Sequence, residues 1–359
     1  MNQAMFPDIV LRWYERHGRH DLPWQQDRNL YRIWLAEIML QQTQVATVIP
    51  YYRRFLEAFP DLASLIAASL DDVLVLWAGL GYYTRARNLH KAAQLIEQEH
   101  GGHFPEQFDE VLALPGIGRS TAGAILAQAL NQRHVILDGN VKRVLCRYFA
   151  LEGWPGRREV ENRLWDKAEA CTPQQRAADY TQAIMDMGAT VCTRSAPVCS
   201  DCPLQQTCAA YASHRVAELP TRRPGKQLPV RLTRMLLLTN EHGEILLEKR
   251  PPSGVWGGLW SLPEMELDEN IEAVCRGRWG YETDSAEDVP GLRHTFSHYH
   301  LDITPCRVKI RYAQTELREP GMQQWCDGDD ITALALATPI AGLLRKYLGS
   351  AVGNKLDSV

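Results

Sequence analysis

From Phe6 to about Leu130, apolar residues recur at three- and four-residue intervals, the spacing of helices that each bury one face. The pattern is broken at Leu22-Pro23-Trp24, Phe59-Pro60-Asp61 and Gly101-Gly102. It predicts a bundle of helices, one running from residue 30 to about 47. A second apolar-periodic pair, 108–113 and 122–130, flanks Leu114-Pro115-Gly116-Ile117-Gly118-Arg119-Ser120-Thr121 and predicts a helix, a tight turn and a helix restarting near Arg119. Beyond Pro229 the pattern changes. Residues 230–239 and 245–248 flank Asn240-Glu241-His242-Gly243 and predict a hairpin; further strands fit 301–303 and 308–312. Thr338-Pro339 opens a helix through Tyr347, with threonine as cap and proline in the first turn. Between the two regions, residues 216–229 hold Pro220, Pro224, Gly225 and Pro229 with Arg222, Arg223 and Lys226, a semi-rigid basic linker. The expectation is a mostly α region followed by an α/β domain.

Length and composition agree with this division. The 359 residues suffice for two or three domains, and 45% hydrophobic with 23% charged residues describes a globular chain. No apolar run reaches membrane-spanning length. Residues 1–11 include Asp8 and lack an apolar export segment, so a cytoplasmic protein is expected. The net charge of −4 does not advertise a nucleic-acid binder. Residues 1–229 carry 25 Lys+Arg against 24 Asp+Glu and the remainder 14 against 19. Any DNA binding must rest on local basic groups and helix ends.

Several residues carry candidate chemistry. A helix restarting at Arg119 offers the unpaired N–H groups of Gly116, Gly118 and Ser120 as an anion site, open to a phosphate; an ordinary interhelix turn is the bland alternative. Glu37 is a lone carboxylate among Trp34, Leu35, Ile38, Met39 and Leu40. Burial would raise its pKa and suit it to general-acid work; otherwise it is a structural glutamate paired with Arg32 or Arg85. Asp138 stops an apolar run before a helix containing Val141, Val144 and Tyr148, where it or Asn140 could simply cap the helix. Read functionally, Asp138 is an ionised partner for Glu37, and two carboxyl groups in unequal environments suit cleavage of a glycosidic bond. Lys142, Arg143 and Arg147 would then be ready for phosphates. In Gly79-Leu80-Gly81-Tyr82-Tyr83-Thr84-Arg85-Ala86-Arg87, tyrosines beside arginines suit bases and phosphates, or a packed turn.

Nine cysteines include Cys192, Cys199, Cys202 and Cys208 within 17 residues. Four soft ligands so close suit a [4Fe-4S] cluster; zinc is the rival, although zinc modules usually pair two short knuckles and this loop has one. A structural role, ordering a loop that bears Arg194, is the first expectation for the cluster.

Taken together, Leu22-Pro23-Trp24, 34–44 with Glu37, Gly79-Leu80-Gly81-Tyr82-Tyr83, the glycine turn, Asp138-Gly139-Asn140-Val141 and the four cysteines resemble the helix-hairpin-helix DNA glycosylases, specifically their adenine-removing branch. The resemblance implies two helical lobes, an iron–sulfur lobe at 1–22 and 133–215 and a helical barrel at 23–132, then the 216–229 linker and a Nudix-like domain at 230–350. It implies that Glu37 protonates a departing adenine, that Asp138 stabilises the cationic sugar, and that Gln42 and Tyr82 fill or wedge the duplex as the nucleotide is extruded. Branches that also cut the backbone carry a lysine where this chain has Ser120, which implies a monofunctional glycosylase. Lys142 is near enough in sequence to Asp138 to trap an abasic product adventitiously. Trp256-Gly257-Gly258-Leu259-Trp260 matches the entrance to a Nudix box, but Ala273-Val274-Cys275-Arg276-Gly277 follows where glutamates would hold Mg²⁺. Nucleotide hydrolysis is expected to be lost, leaving Phe296, Ser297 and His298 to recognise 8-oxoguanine opposite the adenine. The implied partner is duplex DNA with adenine opposite 8-oxoguanine or guanine, bound by a monomer without a membrane. The rivals are a bifunctional pyrimidine-lesion glycosylase, a non-catalytic iron–sulfur DNA-binding protein and a nucleotide pyrophosphatase.

Overall fold

The computed structural model describes residues 5–225, 227–312 and 322–348. Lys226 of the linker, and 313–321 and 349–350 of the domain expected at 230–350, lie outside them. The helices before the first strand are α1 (Phe6–His17), α2 (Pro23–Gln26), α3 (Leu30–Leu40), α4 (Val45–Ala58), α5 (Leu62–Ala67), α6 (Leu70–Trp77), α7 (Thr84–His100), α8 (Phe108–Ala113), α9 (Arg119–Leu130), α10 (Gly139–Tyr148), α11 (Arg158–Cys171), α12 (Ala177–Asp186) and α13 (Ala209–Ala212). Then come β1 (Val230–Thr239), β2 (Ile245–Lys249), β3 (Trp260–Ser261), β4 (Glu264–Met265), α14 (Ile271–Trp279), β5 (Tyr281–Asp288), β6 (Leu292–Thr295), β7 (His300–Tyr312), β8 (Gln323–Cys326), α15 (Gly328–Thr332) and α16 (Thr338–Leu348). The chain divides into two compact units, Met1–Ala68 with Arg87–Gly225, and Ser69–Ala86 with Lys226–Val359.

In the first unit, α1 begins with Pro7 in the turn whose N–H groups have no helical acceptor. It buries Phe6, Val10, Trp13 and Tyr14 in a core shared with α10, α11 and α12. Phe6 and Tyr148 meet edge to face at 4.8 Å, so α1 closes on α10 far along the sequence. Helix α3, apolar almost all round and capped by the Asn29 side chain on the Arg32 N–H, packs against α9. It ends at Leu40 rather than near residue 47. Gln41-Gln42-Thr43-Gln44 offers no apolar face to hold, Gln42 adopts a left-handed φ of 60°, and α4 starts afresh at Val45. The 216–229 stretch begins docked on its own unit: the Leu219 carbonyl accepts from Arg147 Nε at 2.8 Å, Thr221 Oγ1 accepts from the Gly153 N–H, and Arg223 lies over Trp154.

The second unit is built on a mixed sheet of order β3-β2-β1-β7-β5, with β4 paired to β1, β6 to β7 and β8 to β2. Strands β1 and β7 run parallel from Val230↔His300 to Thr239↔Lys309; the other pairs are antiparallel. The expected hairpin forms, with Asn240 Oδ1 accepting from the N–H groups of His242 and Glu244. The two strands expected at 301–303 and 308–312 are one. Pro305, which has no N–H to give, is tolerated because β6 stops pairing at Ile303 and β5 starts at Cys306. Helix α14 covers one face, capped by the Asn270 side chain and closed by Gly280, with Cys275 and Trp279 packed on Leu236, Leu238 and Val308. Residues 69–86 join this unit through Lys249 Nζ to Asp71 at 2.6 Å and Tyr83 OH to the Leu336 carbonyl at 3.1 Å.

Candidate active site

Five segments of the first unit line a cavity of about 960 Å³: Arg19 and Trp24 after α1, the end of α3 with residues 41–46, the turn into α9 with its first turns, residues 136–140 leading into α10, and α12 with Ala189 just beyond it. Glu37, Gln42, Gly118, Ser120 and Asp138 all line it. Glu37 projects from α3 towards α9, where Gln128 Nε2 donates to its Oε1 at 2.7 Å. The partner of this carboxylate is therefore an amide and not an arginine; Arg32 pairs with Asp27, and Arg85 donates to the Leu80 and Gly81 carbonyls. Burial pushes the Glu37 pKa up to about 7, the Gln128 donor opposes that rise, and the negative charge of Asp138 adds to it.

Asp138 is held differently. It caps α10, Oδ1 accepting from the Val141 N–H at 2.8 Å and Oδ2 from Asn140 Nδ2 at 3.0 Å. Its pKa is also raised by burial, against these donors and the Arg143 guanidinium. Capping and facing the cavity are the same act here, because the cap fixes the carboxylate at the mouth of a rigid helix. Arg143 anchors the arrangement by donating to Asn140 Oδ1 at 2.8 Å, the Gly188 carbonyl at 2.6 Å and the Cys192 carbonyl at 2.7 Å. A Cβ on Gly188 would stand 2.5 Å from Asn140 Cβ, so only glycine allows this approach.

The glycine turn supplies backbone to this region. Gly116 takes a left-handed φ of 81°, and its carbonyl accepts from Gln41 Nε2; Gly118 caps α9 with open space around it. The N–H groups of Ser120 and its neighbours begin α9 at the cavity. Ser120 Oγ accepts from the Leu137 N–H at 2.9 Å and so fixes the residue preceding Asp138. The basic residues of α10 are not free for phosphates in the way expected. Lys142 Nζ is bound by Glu161 at 2.6 Å, and Arg147 is buried.

A second, smaller cavity is lined by Cys192, Cys199, Cys202 and Cys208 with Val191, Pro197 and Tyr211. Arg147 reaches its wall, donating to Cys192 Sγ at 3.3 Å and to the Thr193 and Arg194 carbonyls. Burial raises the thiols of Cys199, Cys202 and Cys208, and the charge of Cys192 raises each further. Among the described residues no three side chains converge tightly enough to hold one ion. Thiolates on a single zinc crowd at about 2.3 Å from one centre. Those of a multi-iron cluster bind separate metals and stand further apart. Four cysteine sulfurs lining one cavity are a donor set that would suit such a cluster.

Residues 35–170 match the HhH-GPD superfamily of base excision DNA repair proteins, and residues 234–346 match a NUDIX domain. The adenine DNA glycosylase of Buchnera aphidicola subsp. Acyrthosiphon pisum (strain APS) is 37% identical over 97% of this chain and 99% of its own. That of Mus musculus is 32% identical over 98% and 80%. The chain belongs to the adenine DNA glycosylase family. Its helical region has the fold of a thermostable thymine-DNA glycosylase (26% identical, TM-score 0.53, 59% of this chain and 97% of that one). It shares that fold with Endonuclease III solved with DNA (20% identical, TM-score 0.51, 60% and 98%). The expected architecture, a helix-hairpin-helix glycosylase region followed by a Nudix-like α/β domain, is the one found.

The second unit of this adenine DNA glycosylase family member carries the remaining candidates. Tyr82 is half exposed at a left-handed φ of 50°, with the Arg85 guanidinium 5.4 Å from its ring. Phe296, Ser297 and His298 form the turn between β6 and β7, closed by the Phe296 N–H on the Tyr299 carbonyl at 2.9 Å; Ser297 and His298 are exposed. In the first unit, sequence reasoning missed Gln128 and a buried network around Asp186. Arg19 donates to Asp186 through its backbone N–H at 2.7 Å and its guanidinium at 2.6 and 2.9 Å, and Gln182 Nε2 donates at 2.7 Å. Arg19 and Gln182 both line the large cavity. The available signal was Asp186 itself, a carboxylate following Ala183, Ile184 and Met185 just as Glu37 interrupts an apolar run.

Proposed function

We propose that this protein is a monofunctional DNA N-glycosylase of base-excision repair that removes adenine paired with 8-oxoguanine, and also adenine paired with guanine. The observation that carries the reading is the shared cavity of Glu37 and Asp138, one carboxyl group titrating near neutrality and the other fixed by donors. Adenine leaves poorly as an anion. A proton delivered by Glu37 to a ring nitrogen removes that obstacle, and Asp138 opposes the positive charge that grows on the sugar. Water then completes the hydrolysis.

Reaching the bond requires turning the nucleotide out of the duplex, which costs a few kcal/mol. Gln42 and Tyr82 fill the space left, while the N–H groups of Gly116, Gly118 and Ser120 hold a backbone phosphate at the start of α9. Lys142 meets the strand only by exchanging its Glu161 partner for a phosphate. A lyase step needs an amine nucleophile; Ser120 offers none, and Lys142 is engaged by Glu161. Cys192, Cys199, Cys202 and Cys208 would hold a [4Fe-4S] cluster, which supplies cross-linking of the loop rather than reaction chemistry. In the second unit, Phe296, Ser297 and His298 read the oxidised guanine on the opposite strand. The enzyme acts as a monomer in the cytoplasm, with a lobe at 1–22 and 133–215, a barrel at 23–132 from which residues 69–86 depart to pack with the second unit, the 216–229 linker and the 230–350 domain.

The deciding experiment incubates the full chain with duplexes carrying adenine opposite 8-oxoguanine, adenine opposite guanine or thymine glycol opposite adenine, and with free 8-oxo-dGTP. The expected product is adenine alone, lost in Glu37→Gln and Asp138→Asn. Strand cleavage by β-elimination at the rate of base loss would refute the monofunctional assignment.

A further inference from the structure

The turn that presents Ser297 and His298 is closed from within by the Phe296 N–H on the Tyr299 carbonyl at 2.9 Å, the Thr295 hydroxyl with His300 Nδ1 at 2.9 Å, Ser297 Oγ with His298 Nδ1 at 3.4 Å, and the His298 ring 4.7 Å from Tyr299 and 6.1 Å from Phe296. What seats this turn on the rest of the domain lies beneath it. The Phe296 ring is half-buried, 4.5 Å from His294, 4.8 Å from Tyr299 and 5.5 Å from Trp256. Trp256 also meets His294 at 5.6 Å, so one indole contacts rings on both sides of the turn's first strand end.

Trp256 belongs to the loop joining β2 to β3, and it is held in an unusual state. Its backbone adopts a φ of 54°, a region that bulky side chains enter only when their surroundings impose it, yet the side chain is buried. The surroundings do impose it. The Arg250 N–H donates to the Leu259 carbonyl at 2.9 Å, the Gly258 N–H donates back to the Arg250 carbonyl, and Arg250 Nε donates to the Val255 carbonyl at 2.9 Å. The Arg250 guanidinium stands 5.8 Å from the indole centroid and is itself paired with Glu264. The strand ends, the arginine and the carboxylate thus clamp the loop, and the strained residue is the one that faces the reading turn.

We propose that Trp256 is a positioning residue for lesion recognition, its indole forming the seat that sets the angle at which Phe296 presents Ser297 and His298 to the opposite base. This rests on the assignment of 296–298 as the reading element. The entrance segment of a Nudix box, followed by a helix whose one carboxylate is Glu272, here serves as a platform for base recognition. An aromatic ring is required, because an offset or edge-on ring contact constrains orientation as an aliphatic contact of equal area does not.

The test uses the full chain in a Glu37→Gln background, so that bound duplex is not consumed. Dissociation constants are measured for duplexes with adenine opposite 8-oxoguanine and opposite guanine, and the readout is their ratio. Trp256→Leu is expected to lower the preference for 8-oxoguanine at least fivefold, and Trp256→Phe to retain more than half of it. Equal ratios for the Leu variant and the parent would overturn the proposal, and so would a Phe variant as poor as Leu. If Trp256→Leu does not fold, Trp256→Phe and Trp256→His decide in its place: each keeps a ring, and loss of preference in both overturns it. The paired variant Ser297→Ala with His298→Ala separates the two levels. Retained preference there refutes the reading element itself, whereas loss there with no loss in Trp256→Leu refutes only the seat.

Discussion

Gln128 Nε2 donates to Glu37 Oε1 at 2.7 Å across the α3–α9 interface, and it is the donor that keeps a half-buried glutamate from titrating higher still. A donor to a carboxylate favours its charged form. Removing the donor by Gln128→Leu should therefore raise the Glu37 pKa above about 7. A hydrogen bond to a charged group is worth about 1.5–3 kcal/mol, or about one to two pH units. Single-turnover adenine release should keep its acid form to higher pH, moving the alkaline limb of the profile upwards by about that amount. An unmoved limb would mean that another group supplies the proton.

Glu37 also sets a pH dependence of stability. Its pKa in the folded chain, about 7, lies above the ordinary 4.5, so the folded state holds a proton that the unfolded state releases between those values. Stability is then greatest below about pH 4.5 as far as this group is concerned. It falls as pH rises to about 7, by up to about 3 kcal/mol. Glu37→Gln removes the charge while keeping an amide that can pair with Gln128. Chemical denaturation should find the variant more stable than its parent at pH 8 and nearly equal at pH 5. The same small difference at both pH values would show that Glu37 is ionised without cost, and the cavity would then be too wet for the acid proposed.

The contrast between Glu37 and its neighbours shows what the chain discloses by itself. A carboxylate among Trp34, Leu35, Ile38 and Met39 announces burial through local pattern alone, and the helices α9, α10 and α16 start where capping and proline rules put them. The partner of Glu37 was not visible, since Gln128 lies 91 residues away in a helix of small residues whose face is decided by packing. Arg32 and Arg85 were candidates only because they are basic. The end of α3 was misplaced because Ile33, Ala36, Leu40 and Gln44 keep helical spacing across a turn; spacing cannot see that Gln42 is left-handed. Arg143 and Arg147 suggested phosphate by their charge. Most of their acceptors are backbone carbonyls distant in sequence, which no periodicity encodes.

Ser120 provides a structural prediction separate from its place in the turn. Its hydroxyl accepts the Leu137 N–H at 2.9 Å, and Leu137 is buried. Ser120→Ala leaves that donor without its partner at a cost of about 1–3 kcal/mol. The residue disturbed precedes Asp138, so excision should slow by more than duplex affinity declines. Thermal melting and single-turnover rates measure the two effects. A variant with full rate and unchanged melting temperature would show that the 136–138 segment does not depend on this bond.

Arg147 joins two regions through one side chain. It donates from Nε to the Leu219 carbonyl, where the chain leaves for the second unit, and from its other nitrogens to the Cys192 sulfur and the Thr193 and Arg194 carbonyls. Its own carbonyl accepts from the Cys208 thiol at 3.5 Å. Arg147→Met fills much of the volume but leaves several buried acceptors unpaired, at about 1–3 kcal/mol for each that water does not reach. Both regions should loosen together. Iron bound at the proposed cluster site should fall, and proteolysis within 216–225 should quicken at concentrations that leave the parent intact. The arginine holds a single structural unit if both change; if iron is lost without faster cleavage, the docking of Leu219 is secured by other contacts such as the Gly153 N–H to Thr221 bond, and the coupling between cluster loop and linker does not exist.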